Sequence, residues 1–220
     1  MLLISDDGFR FMVAVRRELY PVEKMYPQWT KHRSLTYMYP QPAHTLTLLS
    51  PIVLDNLLPM ELECTVRSSN GQKFNIGAGT SCSLNHVDVT EPQSLHFLLD
   101  NYVSAGQLEL QPYGGNSSYQ TNLFLSDAQG RVLALQAHIR VSAGKGLRIL
   151  VSAPFWLVNR TGLPVILKQE GASLELAGQG NEHEMARMVA PLLFSLSDPD
   201  QGQFFPHFLL GLTEKSSYLV

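Results

Sequence analysis

The chain has 220 residues, a formal net charge of −3 and a pI of about 6.1. Its 16 Lys and Arg against 19 Asp and Glu argue against nucleic acid as the main partner, because phosphate neutralisation needs clustered Lys and Arg. Hydrophobic residues make up 45% and charged residues only 16%, below the ~25% of an ordinary globular chain, which excludes disorder and a freely solvated helical bundle and leaves a chain that is largely β or belongs to something bigger.

In chain order, the N-terminus opens Met-Leu-Leu-Ile-Ser, and Asp6 and Asp7 then cut off any signal-peptide core. Residues 10–17 read as a strand. Next come Tyr20, Tyr26, Trp29, Tyr37 and Tyr39 interleaved with Pro21, Pro27, Pro40 and Pro42. That composition suits a ligand groove, but it better suits an irregular strand pair packed on the next unit. Residues 45–48 alternate with period two, and so do 62–67, with Leu62, Cys64 and Val66 on one face. Residues 94–99 and 118–126 are further strands. The clearest pattern covers 133–141: Leu133, Leu135, Ala137, Ile139 and Val141 face one way, and Ala134, Gln136, His138 and Arg140 the other. Strands at 147–152 and 165–169 follow. Asn70-Gly71, Gly114-Gly115, Gln129-Gly130, Gly144-Lys-Gly146 and Thr161-Gly162 punctuate the series. Only 182–189 has a helical look. Short strands at this spacing predict a β-sandwich. The apolar runs at 149–151 and 155–158 fall far short of the ~20 residues of a spanning helix, so no transmembrane segment is expected.

Chemistry-bearing motifs are few. His183-Glu184 lacks the second His of a zinc-protease helix, because position 187 is Arg187. Gly77-Ala-Gly79 and Gly178-Gln-Gly180 are turns, not phosphate loops. The seven histidines are scattered, and none lies beside a nucleophile. The expectation is therefore no catalytic residue, no metal and no cofactor. Cys64 and Cys82, the two cysteines, read as small buried or half-buried thiols of a reducing compartment. Two sequons occur, Asn116-Ser-Ser and Asn159-Arg-Thr. Asn159 follows an apolar strand, where closing a turn or tying strands through main-chain bonds suits it better than carrying a glycan.

The chain also contains an internal repeat. Ser50-Pro-Ile-Val-Leu-Asp-Asn56, then Leu58-Pro59 and a strand, matches Ala153-Pro-Phe-Trp-Leu-Val-Asn159, then Leu163-Pro164 and a strand. The two asparagines are 103 residues apart, and the second turn reads as two residues longer. The period is one sandwich-sized unit, longer than that of common solenoids. The fold expectation is all-β, with tandem β-sandwich repeats, one complete unit and a partial second. The partial preceding repeat covers 1–50, the complete unit 51–153, and the truncated start of the next 154–220, with a loose tail from about 198. A truncated second unit would leave Phe155, Leu157, Val165 and Leu167 incompletely covered.

At Ala153-Pro-Phe-Trp-Leu-Val-Asn-Arg-Thr-Gly-Leu-Pro164 the sequence resembles the vacuolar protein sorting-associated protein 13 family. The likeness continues through Ala177-Gly-Gln-Gly-Asn-Glu-His-Glu-Met-Ala-Arg187 and Pro191-Leu-Leu-Phe-Ser195, and upstream at Leu49-Ser-Pro-Ile-Val-Leu-Asp-Asn-Leu-Leu-Pro59. It covers roughly residues 40–197 and fades at Asp198-Pro-Asp. The resemblance implies an adaptor-binding region of tandem β-sandwich repeats, each with a characteristic Asn that falls on Asn56 and Asn159. It further implies a piece of a long, rod-like protein that carries lipid between organelle membranes at contact sites. Such a region grips short proline-containing peptides of organelle adaptor proteins and packs against neighbouring repeats. The chain is too short to hold a lipid channel. The resemblance thus implies a cytoplasmic interaction module, peripheral at organelle membranes through adaptors, serving protein targeting and lipid transport. The competing reading is a secreted β-sandwich carbohydrate-binding protein, which needs a Cys64–Cys82 disulfide and a glycan on Asn116.

Overall fold

The computed structural model describes residues 2–20, 41–67, 71–100, 102–104, 106–112, 118–142, 146–161, 165–169, 177–178, 191–195 and 208–212. All regular structure among the described residues is β-strand. Asn116, most of the aromatic–proline segment 20–42, and the 182–189 segment with His183 and Arg187 lie outside the described residues.

Three antiparallel strands open the chain: β1 (Leu2–Ile4), β2 (Arg10–Tyr20) and β3 (Gln41–Leu49), in the order β1-β2-β3. Ten strands then hydrogen-bond into one sheet. They are β4 (Ile52–Asn56), β5 (Leu62–Val66), β6 (Gln72–Ile76), β7 (Ser81–Leu84), β8 (Gln93–Leu99), β9 (Tyr102–Ser104), β10 (Leu108–Leu110), β11 (Tyr119–Ser126), β12 (Val132–Val141) and β13 (Leu147–Ser152). The order is β6-β5-β8-β9-β11-β12-β13-β4-β7, with β10 attached to β8. Every pairing is antiparallel except β13 with β4, which run parallel. The two end strands of this path, β6 and β7, are joined by the short turn at 77–80. They must lie side by side, so the sheet curls almost into a closed barrel and hides its edges.

The pleat fills the interior. Leu62, Cys64 and Val66 on β5, Leu95, Phe97 and Leu99 on β8, and Leu133, Leu135, Ala137 and Ile139 on β12 all point inward and are buried. They meet Ile52, Leu54, Ile149 and Val151 from the parallel pair. Each Leu, Ile, Val or Phe side chain among them contributes about 1.5–3 kcal/mol relative to exposure. Val141, read as inward, is only partly buried at the rim of this core.

The first sheet is fastened to this core. Met12 is buried within it, Arg10 Nη1 donates to His86 O at 2.8 Å, and the Phe9 and His86 rings lie 4.2 Å apart.

After β13 come β14 (Phe155–Val158), β15 (Val165–Gln169), β16 (Ala177–Gly178), β17 (Pro191–Phe194) and β18 (Phe208–Leu212). β14 pairs with β17, and β15 lies between β16 and β18. β18 falls in the segment read from sequence as a tail; its apolar Phe-Leu-Leu-Gly-Leu run pairs with β15 along its whole length. Phe155 is exposed and Leu157 half-buried, but Val165 and Leu167 are buried. Phe194 and Leu192 join Leu157 around Leu167 and supply its cover.

The strand starts correct the repeat alignment. β4 and β14 begin 103 residues apart, and so do β5 and β15. The connections 57–61 and 160–164 therefore have equal length, and no residues are inserted. Leu-Pro simply sits two places later within the second connection: the span of the loop is kept while its letters shift.

Candidate functional site

β4 ends in Asp55-Asn56, and the strand alternation sends the two side chains to opposite sides of the sheet. Asn56 points inward and is completely buried. Its Nδ2 donates to Met60 O at 2.8 Å, Ile76 O at 2.9 Å and Gly77 O at 3.0 Å. Its Oδ1 accepts from Leu58 N at 3.0 Å. A carboxamide has two N–H bonds for these three carbonyls, so at least one is shared. The backbone N–H of Asn56 donates to Thr80 O, and that of Leu57 to Val151 O, each at 2.9 Å. One side chain thus ties the exit of β4, the 57–60 turn and the 77–80 turn. Aspartate has no donor to offer these carbonyls, which is why the position calls for an amide. Gly79, with φ +66, supplies the left-handed residue that the 77–80 turn requires.

Asn159 sits at the corresponding place after β14 and is buried. Its Oδ1 accepts from Thr161 N at 3.0 Å and Thr161 Oγ1 at 2.7 Å. Both asparagines therefore close an Asx turn onto the backbone N–H two residues on. Each serves its own strand in a different sheet, and the burial of Asn159 leaves no room for a glycan.

Asp55 points outward but is covered by its partners, leaving it 5% exposed. Ser81 Oγ donates to Oδ1 at 2.5 Å. Arg148 makes a two-toothed contact, Nε to Oδ2 at 2.5 Å and Nη2 to Oδ1 at 3.1 Å. Burial pushes the Asp55 carboxyl up, but the bonds from Arg148 and Ser81 outweigh it and hold the group below its ordinary range. Beside this pair lies an open cavity of about 270 Å³, lined by Asp55, Leu57, Thr80, Arg140, Arg148 and Leu150 among others. Arg140 on β12 stands directly opposite Arg148 on β13. Sequence reasoning singled out Asn56 and Asn159 but missed Asp55, Ser81, Arg140 and Arg148. The one local signal was a carboxylate at the outer position of a strand that is apolar from Ile52 to Leu54.

Cys64 and Cys82 are both free. Burial, with smaller contributions from Cys82 and Glu63, pushes the Cys64 thiol up to about 12. The secreted carbohydrate-binding reading needs these two sulfurs bonded. Among the described residues no group of three or more His, Cys, Asp or Glu could hold a metal ion, and no helix is long and apolar enough to cross a membrane.

The chain is similar to known proteins over most of its length. The family described as vacuolar-sorting associated protein 13, adaptor binding domain, matches residues 6–210. The match reaches past residue 197, where the motif resemblance fades, and takes in most of β18. The chain is 37% identical over 195 residues to the intermembrane lipid transfer protein VPS13D of Homo sapiens, covering 88% of this chain and 4% of that protein. It is 39% identical over 159 residues to Vps13D of Drosophila melanogaster, covering 72% and 4% respectively. The intermembrane lipid transfer protein VPS13 of Chaetomium thermophilum is 26% identical over 194 residues, covering 80% and 6%. The chain thus spans only about one-twentieth of the length of these relatives.

Proposed function

Because the chain belongs to the vacuolar-sorting associated protein 13 adaptor binding domain family, a family of non-catalytic interaction modules, we propose that it recruits a bridge-like lipid-transfer protein to organelle membranes. It does so by gripping short proline-containing peptides of organelle adaptor proteins. On this reading it works on the cytoplasmic side, peripheral to membranes through its adaptors, in protein targeting and lipid transport at contact sites. The observation that carries the reading is the family match over residues 6–210. The matching Asx turns at Asn56 and Asn159 and the 103-residue spacing of the strand starts support tandem units. The complete unit is assigned to 51–153, a partial unit to 1–50 and the start of the next to 154–220, with Asn56 and Asn159 as the repeat-defining residues.

A peptide is most simply taken at a free strand edge, where main-chain bonds supply affinity and alternate side chains supply selectivity. Proline is tolerated there because an edge wastes no ladder donor. The ten-stranded sheet curls on itself and has little edge to give, so the junction with the next unit, near 147–167, is the favoured place. The test is calorimetric titration of adaptor-derived proline-containing peptides onto the 220-residue chain and onto a longer chain that adds neighbouring repeats. The longer chain is expected to bind, and the shorter to bind weakly or not at all. Failure of the longer chain to bind any adaptor peptide overturns the function. Tight binding by the shorter chain overturns only the need for more repeats.

A further inference from the structure

We propose that the cavity between Arg140, Arg148 and Leu57 is a subsite for one acidic side chain of a peptide partner. The proposal rests on the adaptor-binding reading and adds to it a place on the ten-stranded sheet where a ligand carboxylate is taken.

Three features of the outer face carry it. The first is charge. Arg140 and Arg148 face each other across neighbouring strands, an arrangement of like charges that is unfavourable unless an anion is shared between them. Asp55 answers only one of them, taking Nε and Nη2 of Arg148. Within the described residues the one hydrogen bond of the Arg140 side chain goes to His138 Nδ1, at 3.3 Å. The cluster therefore carries two guanidinium groups against one carboxylate and leaves one positive charge to be met. A guanidinium presents a planar fork of donors that a carboxylate fits.

The second feature is the sign of the floor. Asp55 is fixed in the cavity wall as a carboxylate. A single incoming carboxylate balances the remaining charge. A dianionic phosphate would set a second negative charge against Asp55, which disfavours it.

The third is shape. Leu57, 55% exposed, and Leu150 form apolar walls beside the arginines, suited to an aliphatic neighbour of the acidic residue. The walls are fixed rather than loose. The backbone N–H of Leu57 is bonded to Val151 O, and Thr80 is held by the backbone of Asn56.

The test is an NMR titration of the isotope-labelled 220-residue chain with the capped peptide Leu-Glu-Glu-Leu, its neutral counterpart Leu-Gln-Gln-Leu, and inorganic phosphate. The acidic peptide is expected to shift the amides of Leu57, Thr80, Ser81 and Leu150, and the neutral one to leave them in place. Arg140→Gln removes no buried partner and is expected to weaken the acidic peptide about tenfold, as loss of a charge-assisted hydrogen bond does, with the rest of the spectrum unchanged. Equal shifts from both peptides, tighter occupancy by phosphate, or insensitivity to Arg140→Gln overturns the proposal. Shifts confined to other strands, or none, overturn it too. None of these outcomes touches the adaptor-binding reading, which is decided by peptide capture on the longer chain.

Discussion

Ser195 completes a ladder at Ala134, 61 residues earlier in the chain. Its hydroxyl accepts the Ala134 N–H at 2.6 Å and donates to the Ala134 carbonyl at 3.3 Å. β13 stops at Ser152, opposite Gln136, so Ala134 lies beyond the end of its neighbour strand. Without Ser195 its backbone groups would lose their partner on that side. Leu193, two residues earlier, is buried in the main core. The short strand β17 therefore serves the ten-stranded sheet and β14 together.

Ser195→Ala removes this cap. The amide of Ala134 is expected to lose its protection in hydrogen exchange, while that of Ala137, paired within β12 and β11, keeps it. Global stability should fall by about 1 kcal/mol, the net worth of a hydrogen bond with a partly buried partner. Unchanged exchange at Ala134 would show that the bond contributes nothing.

Asn56→Ala leaves the Leu58 N–H and the carbonyls of Met60, Ile76 and Gly77 without their side-chain partner. The expected cost is about 1–3 kcal/mol, read as a lower midpoint in urea unfolding. Asn56→Asp should do worse, because it brings a carboxylate to three carbonyl oxygens. An unaltered midpoint in both variants contradicts the role assigned to this corner.

Acid should loosen the fold through Asp55. Its carboxyl is held below the ordinary value of 3.8, so the unfolded chain takes up the proton more readily than the folded one. The stabilisation is complete above that value and is lost as pH falls through the lowered one. Asp88, held down mainly by Thr90, and Asp127, where the Arg131 bonds outweigh burial, act in the same direction. The urea midpoint is expected to hold steady from neutral pH and to drop below about pH 4. The drop should be shallower in Asp55→Asn. Equal slopes in the two proteins would remove Asp55 from the explanation.

The thiols should differ in reactivity. The thiolate is the reactive form, and Cys64 is buried with its thiol pushed up to about 12. Cys82 is only partly buried, and burial raises it as well. Under native conditions iodoacetamide is expected to label Cys82 before Cys64, as read by peptide mass spectrometry, and both at once after unfolding. A native band that changes mobility on reduction would instead revive the disulfide of the carbohydrate-binding reading.

The alternation of β12 was legible because Leu133, Leu135, Ala137 and Ile139 face a buried interior while their neighbours face out, and period two survives that asymmetry. β5 and β8 read for the same reason. β6 and β7 did not, because Gln72-Lys-Phe-Asn-Ile76 and Ser81-Cys-Ser-Leu84 are short and bury little; pairing with neighbours far along the chain makes them strands. Asn56 and Asn159 stood out through their repeated context. The Asp55–Arg148 contact joins residues 93 positions apart and leaves no local pattern. The letter match of Leu-Pro misled the alignment of the turns, because the two loops share a length and not the position of that dipeptide.

The parallel union of β4 and β13, from Ile52 beside Leu147 to Asn56 beside Val151, decides how this stretch bears tension. The chain enters at residue 51 and leaves at 153, at opposite ends of the pair. A pull between those points slides the two strands lengthwise, so the bonds from Leu147 to Pro51 and from Leu57 to Val151 share the load with everything between them. An antiparallel pair pulled from one end would instead unzip, its bonds breaking in succession. A load applied between residues 51 and 153 therefore meets the bonds of the pair together rather than one at a time.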